Sequence, residues 1–120
     1  MSPHDDDAHS AISQIDPSEA LAQVDRGATL LDVRTPEEFA AGHAPQARFI
    51  PLAELEARAQ TLSLETTLAI ICRSGHRSQN AAEYLRAQGF QVSNVVGGMT
   101  AWAAEGLPII DDHGGPGQVV

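Results

Sequence analysis

Thr67-Leu68-Ala69-Ile70-Ile71-Cys72-Arg73-Ser74-Gly75-His76-Arg77-Ser78 decides the fold of this chain. The run from Thr67 to Ile71 is unbroken and apolar, the pattern of a strand buried on both faces. A basic, Gly-containing turn ends it. From Ser78 to Gln88 the residues Ala81, Ala82 and Leu85 recur at helical spacing until Gly89 stops the pattern. Cys72, the single cysteine, then stands at the carboxyl end of a buried strand and beneath a helix N-terminus. The helix dipole and the free amides of the turn favour an anion there, and neighbouring arginine lowers a thiol pKa further. The sequence thus points to Cys72 as a nucleophile.

Outward from this stretch, strand and helix signals alternate. Residues 11–15 read as a short first strand. Asp16-Pro17-Ser18-Glu19 starts a helix, with Asp as cap and Pro in the first turn, that turns Ala20, Leu21 and Val24 inward and stops at Gly27. Thr29 to Arg34 reads as a buried strand, and Thr35-Pro36-Glu37-Glu38 repeats the cap signature for a helix ending near Gly42. Arg48-Phe49-Ile50 is a brief strand, Leu52 to Ala59 a helix, Val92 to Val96 a strand, and Met99 to Glu105 a last helix after Gly97-Gly98. This alternation predicts an α/β domain, with a mainly parallel central sheet and helices on both faces. Ligands of such sheets bind beyond the carboxyl ends of the strands, where Cys72 falls.

The 120 residues fit one domain, predicted over 11–110, between flexible tails at 1–10 and 111–120. His4, Asp5, Asp6, Asp7 and His9 read as a frayed, solvated tail rather than a metal site. With net charge -9 and no lysine, the chain lacks the basic face that nucleic acid requires. No apolar run approaches membrane-spanning length, and a lone cysteine excludes an internal disulfide and a cysteine-rich zinc site. A cytoplasmic protein is expected.

Four separated motifs carry a resemblance: Leu31-Asp32-Val33-Arg34-Thr35-Pro36-Glu37-Glu38-Phe39, Gly42-His43-Ala44-Pro45, Cys72-Arg73-Ser74-Gly75-His76-Arg77-Ser78, and Gly97-Gly98-Met99-Thr100-Ala101-Trp102. In order and spacing they resemble a single-domain rhodanese, a sulfurtransferase, from about Ile15 to Ile109. The resemblance implies a rhodanese-like three-layer fold, a catalytic persulfide on Cys72 and a sulfur-wrapping loop from Cys72 to Arg77. In one segment the chain departs from the family: Gln46, Ala47, Arg48 and Phe49 stand where rhodaneses usually carry Gly-Ala and an Asn before Ile-Pro.

The expected reaction moves sulfane sulfur from a small anionic donor such as thiosulfate to an external acceptor: cyanide, or a thiol such as glutathione or thioredoxin. It requires no cofactor and no metal. Arg73, Ser74, Gly75, His76 and Arg77 form the expected donor-binding loop. Gly75 permits the tight turn and the arginines supply charge. His76 either tunes the loop or is merely solvated. Ser78 is either a hydroxyl donor or the N-cap of the next helix, with the cap the stronger reading. Asp32 and Arg34 close a strand near the ligand edge and either contribute to the site or, the stronger reading, serve a structural ion pair such as Arg34 with Glu38; His43 is expected to bond backbone in its turn, Trp102 to lie in the core, and Gly97-Gly98 to let backbone pass close to the loop. The rival readings are a persulfide relay or regulatory module with little turnover, and an arsenate reductase or phosphatase-like enzyme. The four-residue spacing from Cys72 to Arg77 is shorter than that of tyrosine phosphatases and disfavours the last.

Overall fold

A computed structural model describes residues 12–120; Ala11 and the acidic, His-containing start of the chain lie outside them. Five strands, β1 (Ser13–Ile15), β2 (Thr29–Asp32), β3 (Arg48–Phe49), β4 (Leu68–Ile71) and β5 (Val92–Val95), form one sheet in the order β1-β5-β4-β2-β3. Every strand pair is parallel. The helices are α1 (Pro17–Asp25), α2 (Pro36–Ala41), α3 (Leu55–Arg58), α4 (His76–Ala87) and α5 (Gly98–Ala104).

The alternation of side chains along each strand divides the core into two layers. Leu31, Ile70 and Cys72 face one cluster with Leu55, Ala81, Ala82 and Leu85. Leu30, Ala69 and Ile71 face the other with Ala20, Met99 and Trp102. Helices therefore cover both faces of a parallel sheet, a three-layer α/β architecture. Trp102 is fully buried and donates its indole N–H to Pro108 O at 2.9 Å. Among the described residues no helix is long and apolar enough to cross a membrane.

The chain runs outward from β2 to β3, then returns past β2 to lay down β4 on its other side. The crevice beyond the carboxyl ends of β2 and β4 is thus the switch point of the sheet, and Cys72 is the first residue past β4.

Three local expectations are corrected. Residues 52–59 do not form one helix: a 3₁₀ turn (Leu52–Glu54), the single turn α3 and a second 3₁₀ turn (Ala59–Thr61) replace it, and none has a side-chain cap. So short a segment cannot sustain a helix on its own hydrogen bonds. Arg34 does not pair with Glu38; it forks onto Asp32, with Nη2 to Oδ2 at 2.7 Å and Nε to Oδ1 at 2.9 Å, both side chains fully buried. Its remaining donor bonds reach the carbonyls of Gly42 and Glu38.

Residues 111–120, in place of a free tail, fold back on the domain. The Asp111 carboxylate accepts the amides of His113 and Gly115, both at 2.9 Å, and closes a turn. Those bonds hold its pKa below the ordinary carboxylate value. Ile110 pairs with His43 and Pro116 in antiparallel bridges, and Gln118 N donates to Ala41 O at 2.9 Å.

Candidate active site

The sulfur is placed by the end of β4 and the start of α4. Gly75, with φ +109°, is the residue before α4 and has no side-chain cap bond. A residue with a Cβ rarely adopts that conformation. It folds the loop back so that Gly75 N donates to Cys72 Sγ at 3.0 Å. Ser78 is not the N-cap: α4 begins earlier, at His76, which turns the Ser78 side chain inward. Its Oγ lies 3.2 Å from Cys72 Sγ and 2.6 Å from Asn94 Oδ1.

Cys72 is 1% exposed. Burial pushes its thiol pKa up, but the Ser78 hydroxyl and the amides of Ser78, Gly75 and Ser74 stabilise the thiolate more, and the net shift is downward. The loop therefore favours an anionic sulfur while sheltering it from bulk water.

From the other side, α5 closes the loop. Met99 N donates to Cys72 O at 2.8 Å and Thr100 N to Arg73 O at 3.0 Å. Gly98 permits this contact, since a Cβ there would collide with the backbone of Cys72 and Arg73. Gly97-Gly98 thus gives the steric permission expected of it.

Of the five expected loop residues, Ser74 and Gly75 turn their amides to the sulfur, and the side chains of the five differ in place. Ser74 and His76 are exposed. Arg73 is exposed and its Nε donates to Val120 O at 2.9 Å, at the rim of the loop. Arg77 is half-buried and forks onto Glu38, with Nη1 to Oε1 at 2.7 Å and Nη2 to Oε2 at 2.9 Å. The hydrogen bonds from Arg77 are the main reason that the Glu38 pKa is lowered to about 2. Glu38 also accepts Thr35 N at 2.9 Å, so one carboxylate caps α2 and anchors the active loop. His43 Nδ1 lies 2.6 Å from Phe39 O and its ring stacks on Phe39, the structural role expected of it.

Two partners escaped the sequence reading. Glu38 as the mate of Arg77 is a tertiary contact between residues far apart in the chain. Asn94 carried a visible signal, a carboxamide within Val92-Ser93-Asn94-Val95, an otherwise buried internal strand. A buried polar group of that kind has hydrogen-bonding work to do.

Residues 16–105 match the family model of the rhodanese-like domain. A sulfurtransferase of Allochromatium vinosum is 39% identical over 107 residues, spanning 86% of this chain and 99% of its own. YtwF of Bacillus subtilis is 43% identical over 86 residues, 72% of this chain and 84% of its own. The crystal structure of a rhodanese-related protein from Thermoplasma volcanium superposes with a TM-score of 0.77 at 32% identity, covering 82% of this chain and 97% of that one.

Proposed function

Because the chain belongs to the rhodanese-like domain family, we propose that it is a sulfurtransferase in which Cys72 carries sulfane sulfur as a persulfide. The observation that supports this most directly is the pair of donors on a buried sulfur, Gly75 N at 3.0 Å and Ser78 Oγ at 3.2 Å, at the carboxyl end of β4. Such a site stabilises sulfur as an anion without a metal or organic cofactor.

The Cys72 thiolate attacks the outer sulfur of thiosulfate, the S–S bond of the donor breaks, and sulfite leaves with the bonding electrons. A thiol or cyanide then attacks the outer sulfur of the persulfide and regenerates the thiolate. With one cysteine in the chain the acceptor is always another molecule, glutathione, a reduced thioredoxin or cyanide, and the kinetics are ping-pong. Arg73 and His76, at the exposed rim, meet the anionic donor together with the amides of Ser74 and Gly75. Arg77, its charge balanced by Glu38, holds the loop against α2. A reducing compartment, the cytoplasm, suits a single free thiol.

Intact mass tests the reading. Thiosulfate adds the mass of one sulfur atom and cyanide removes it; Cys72→Ser shows neither. Sulfur transfer by the serine variant would refute the assignment. Arg73→Ala lowers kcat/KM for thiosulfate on the order of tenfold, the loss of one charge-assisted contact.

A further inference from the structure

The buried Asn94 is hydrogen bonded to Ser78, a partner of the Cys72 sulfur, and not to the sulfur itself. It is 4% exposed, and Ser78 beside it is fully buried. All of its hydrogen-bonding groups are engaged: Nδ2 donates to Gln14 Oε1 at 2.9 Å and to Gly75 O at 3.3 Å, and Oδ1 accepts from the Ser78 hydroxyl at 2.6 Å.

The orientation of this carboxamide follows from Gly75. A backbone carbonyl only accepts, so the amino group of Asn94 faces it and the oxygen faces Ser78. The Ser78 hydroxyl has a single hydrogen and two acceptors in reach, Asn94 Oδ1 at 2.6 Å and Cys72 Sγ at 3.2 Å. It serves one at a time.

We propose that Asn94 is a positioning residue that acts through Ser78, competing with Cys72 for the Ser78 hydrogen and so setting the pH at which the sulfur ionises. While Cys72 is a thiol, Ser78 gives its hydrogen to Asn94 and accepts the S–H. When the sulfur becomes an anion, the hydroxyl hydrogen turns to it, and Asn94 Oδ1 is left without a donor in a buried place. Losing that bond disfavours the thiolate. The amides of the loop and Ser78 still favour the anion on balance; Asn94 restrains them.

The titratable and charged groups on the elements that build the site are Arg77 on α4, paired with Glu38 on α2; Arg34, paired with Asp32 at the end of β2; Arg73 on the loop; and His76 at the start of α4. None of these is hydrogen bonded to the side chain of Asn94 or Ser78. Behind Gln14, the Gln79 carboxamide accepts from Gln14 Nε2 at 2.7 Å and donates to Glu83 at 3.0 Å.

Cys72 is the sole cysteine, so the rate of alkylation by iodoacetamide against pH reports its ionisation alone. Asn94→Leu removes the competing acceptor and shifts the midpoint of that profile down by about one pH unit. Ser78→Ala shifts it up, and in that background Asn94→Leu no longer shifts it down, because the competition runs through the Ser78 hydroxyl; the second link, from Asn94 Nδ2 through Gly75 to the sulfur, steadies a thiolate donor, and its loss can only raise the midpoint. An upward shift in Asn94→Leu alone, or a downward shift from Ser78→Ala to the double variant, overturns the proposal.

Should the leucine fail to fold, the unaltered protein supplies the reading. The Asn94 Cγ resonance titrates with the alkylation midpoint in the native chain and is flat in Ser78→Ala; a flat resonance in the native chain overturns the proposal. The inference rests on the reading of Cys72 as the reactive sulfur. Alkylation is followed without any sulfur donor, so a failed competition leaves persulfide loading untouched, whereas a Cys72 inert at every pH defeats both readings.

Discussion

Helices α1 and α2 begin in one way and α4 and α5 in another. Asp16 accepts Glu19 N at 2.8 Å, and Thr35 exchanges bonds with Glu38 in a full capping box; both helices carry Pro in the first turn. Helices α4 and α5 follow glycines at φ +109° and +77°, with no side-chain cap on either. Every helix leaves amides without an internal partner in its first turn. In α1 and α2 nearby side chains accept them. In α4 they turn toward Cys72 Sγ, and in α5 they hold the carbonyls of Cys72 and Arg73. Among the helices longer than a single turn, the uncapped ends are those whose amides build the site.

Gly98→Ala breaks this contrast with the largest effect. Its Cβ would collide with the Cys72 and Arg73 backbone, and its φ of +54° is one that alanine adopts at a cost. Overpacking and backbone strain together destabilise the fold on the order of 3 kcal/mol. The displaced loop also loses its sulfur donors. Urea unfolding and the rate of mass gain with thiosulfate both register the change. A variant of native stability and loading rate would show that α5 does not close the loop.

Glu38→Gln tests the one capped helix that reaches the site. Removing the carboxylate weakens the α2 cap and the Arg77 fork, together about 1.5 kcal/mol at neutral pH. The effect is held down because Arg77 is 35% exposed. The folded pKa of Glu38 is lowered from 4.5 to about 2. Its stabilisation is therefore fully present above pH 4.5 and is lost as pH falls toward 2. The gap in unfolding midpoint between wild type and Glu38→Gln stays constant above that window and closes within it. A gap that persists at pH 2 would assign the loss to something other than the charge.

The same contrast explains what the sequence makes legible. Caps are local: Asp16-Pro17 and Thr35-Pro36 announce their helices within four residues. The unbroken apolar run of β4 announces a buried strand just as locally, and Cys72 is located by what flanks it. Ser78 reads as a cap because a serine before a helical pattern is most often one, and only the backbone turn at Gly75 shows the helix starting sooner. Arg34 misleads in a similar way. Four residues on is the usual partner within a helix, but Arg34 precedes α2, and Asp32, the last residue of β2, lies within reach. Glu38 with Arg77, and Asn94 with Ser78, join segments that meet only once the sheet is assembled. The fold-back of 111–120 was hidden by composition. Its Gly and Pro content resembles a tail, yet Asp111 closes a turn that brings Gln118 onto Ala41.

Asp16→Ala should have the smallest effect, and it sharpens the comparison from its local side. The substitution removes the acceptor of Glu19 N and leaves Pro17 to start α1. Loss of such a cap destabilises by about 1 kcal/mol. Helix α1 buries Ala20 in the layer of Leu30, Met99 and Trp102, whereas Cys72 belongs to the layer on the opposite face. Helix α5, in the same layer as α1, keeps its own bonds to the carbonyls of Cys72 and Arg73 when the Asp16 cap is lost, so thiosulfate loading and the pH profile of Cys72 alkylation stay at wild-type values while the urea midpoint falls. Glu38→Gln, of similar energetic size, slows loading because its carboxylate holds Arg77. If Asp16→Ala slowed loading as much as Glu38→Gln, stability alone would govern the reactive loop, and the distinction between locally capped ends and ends committed to the site would fail.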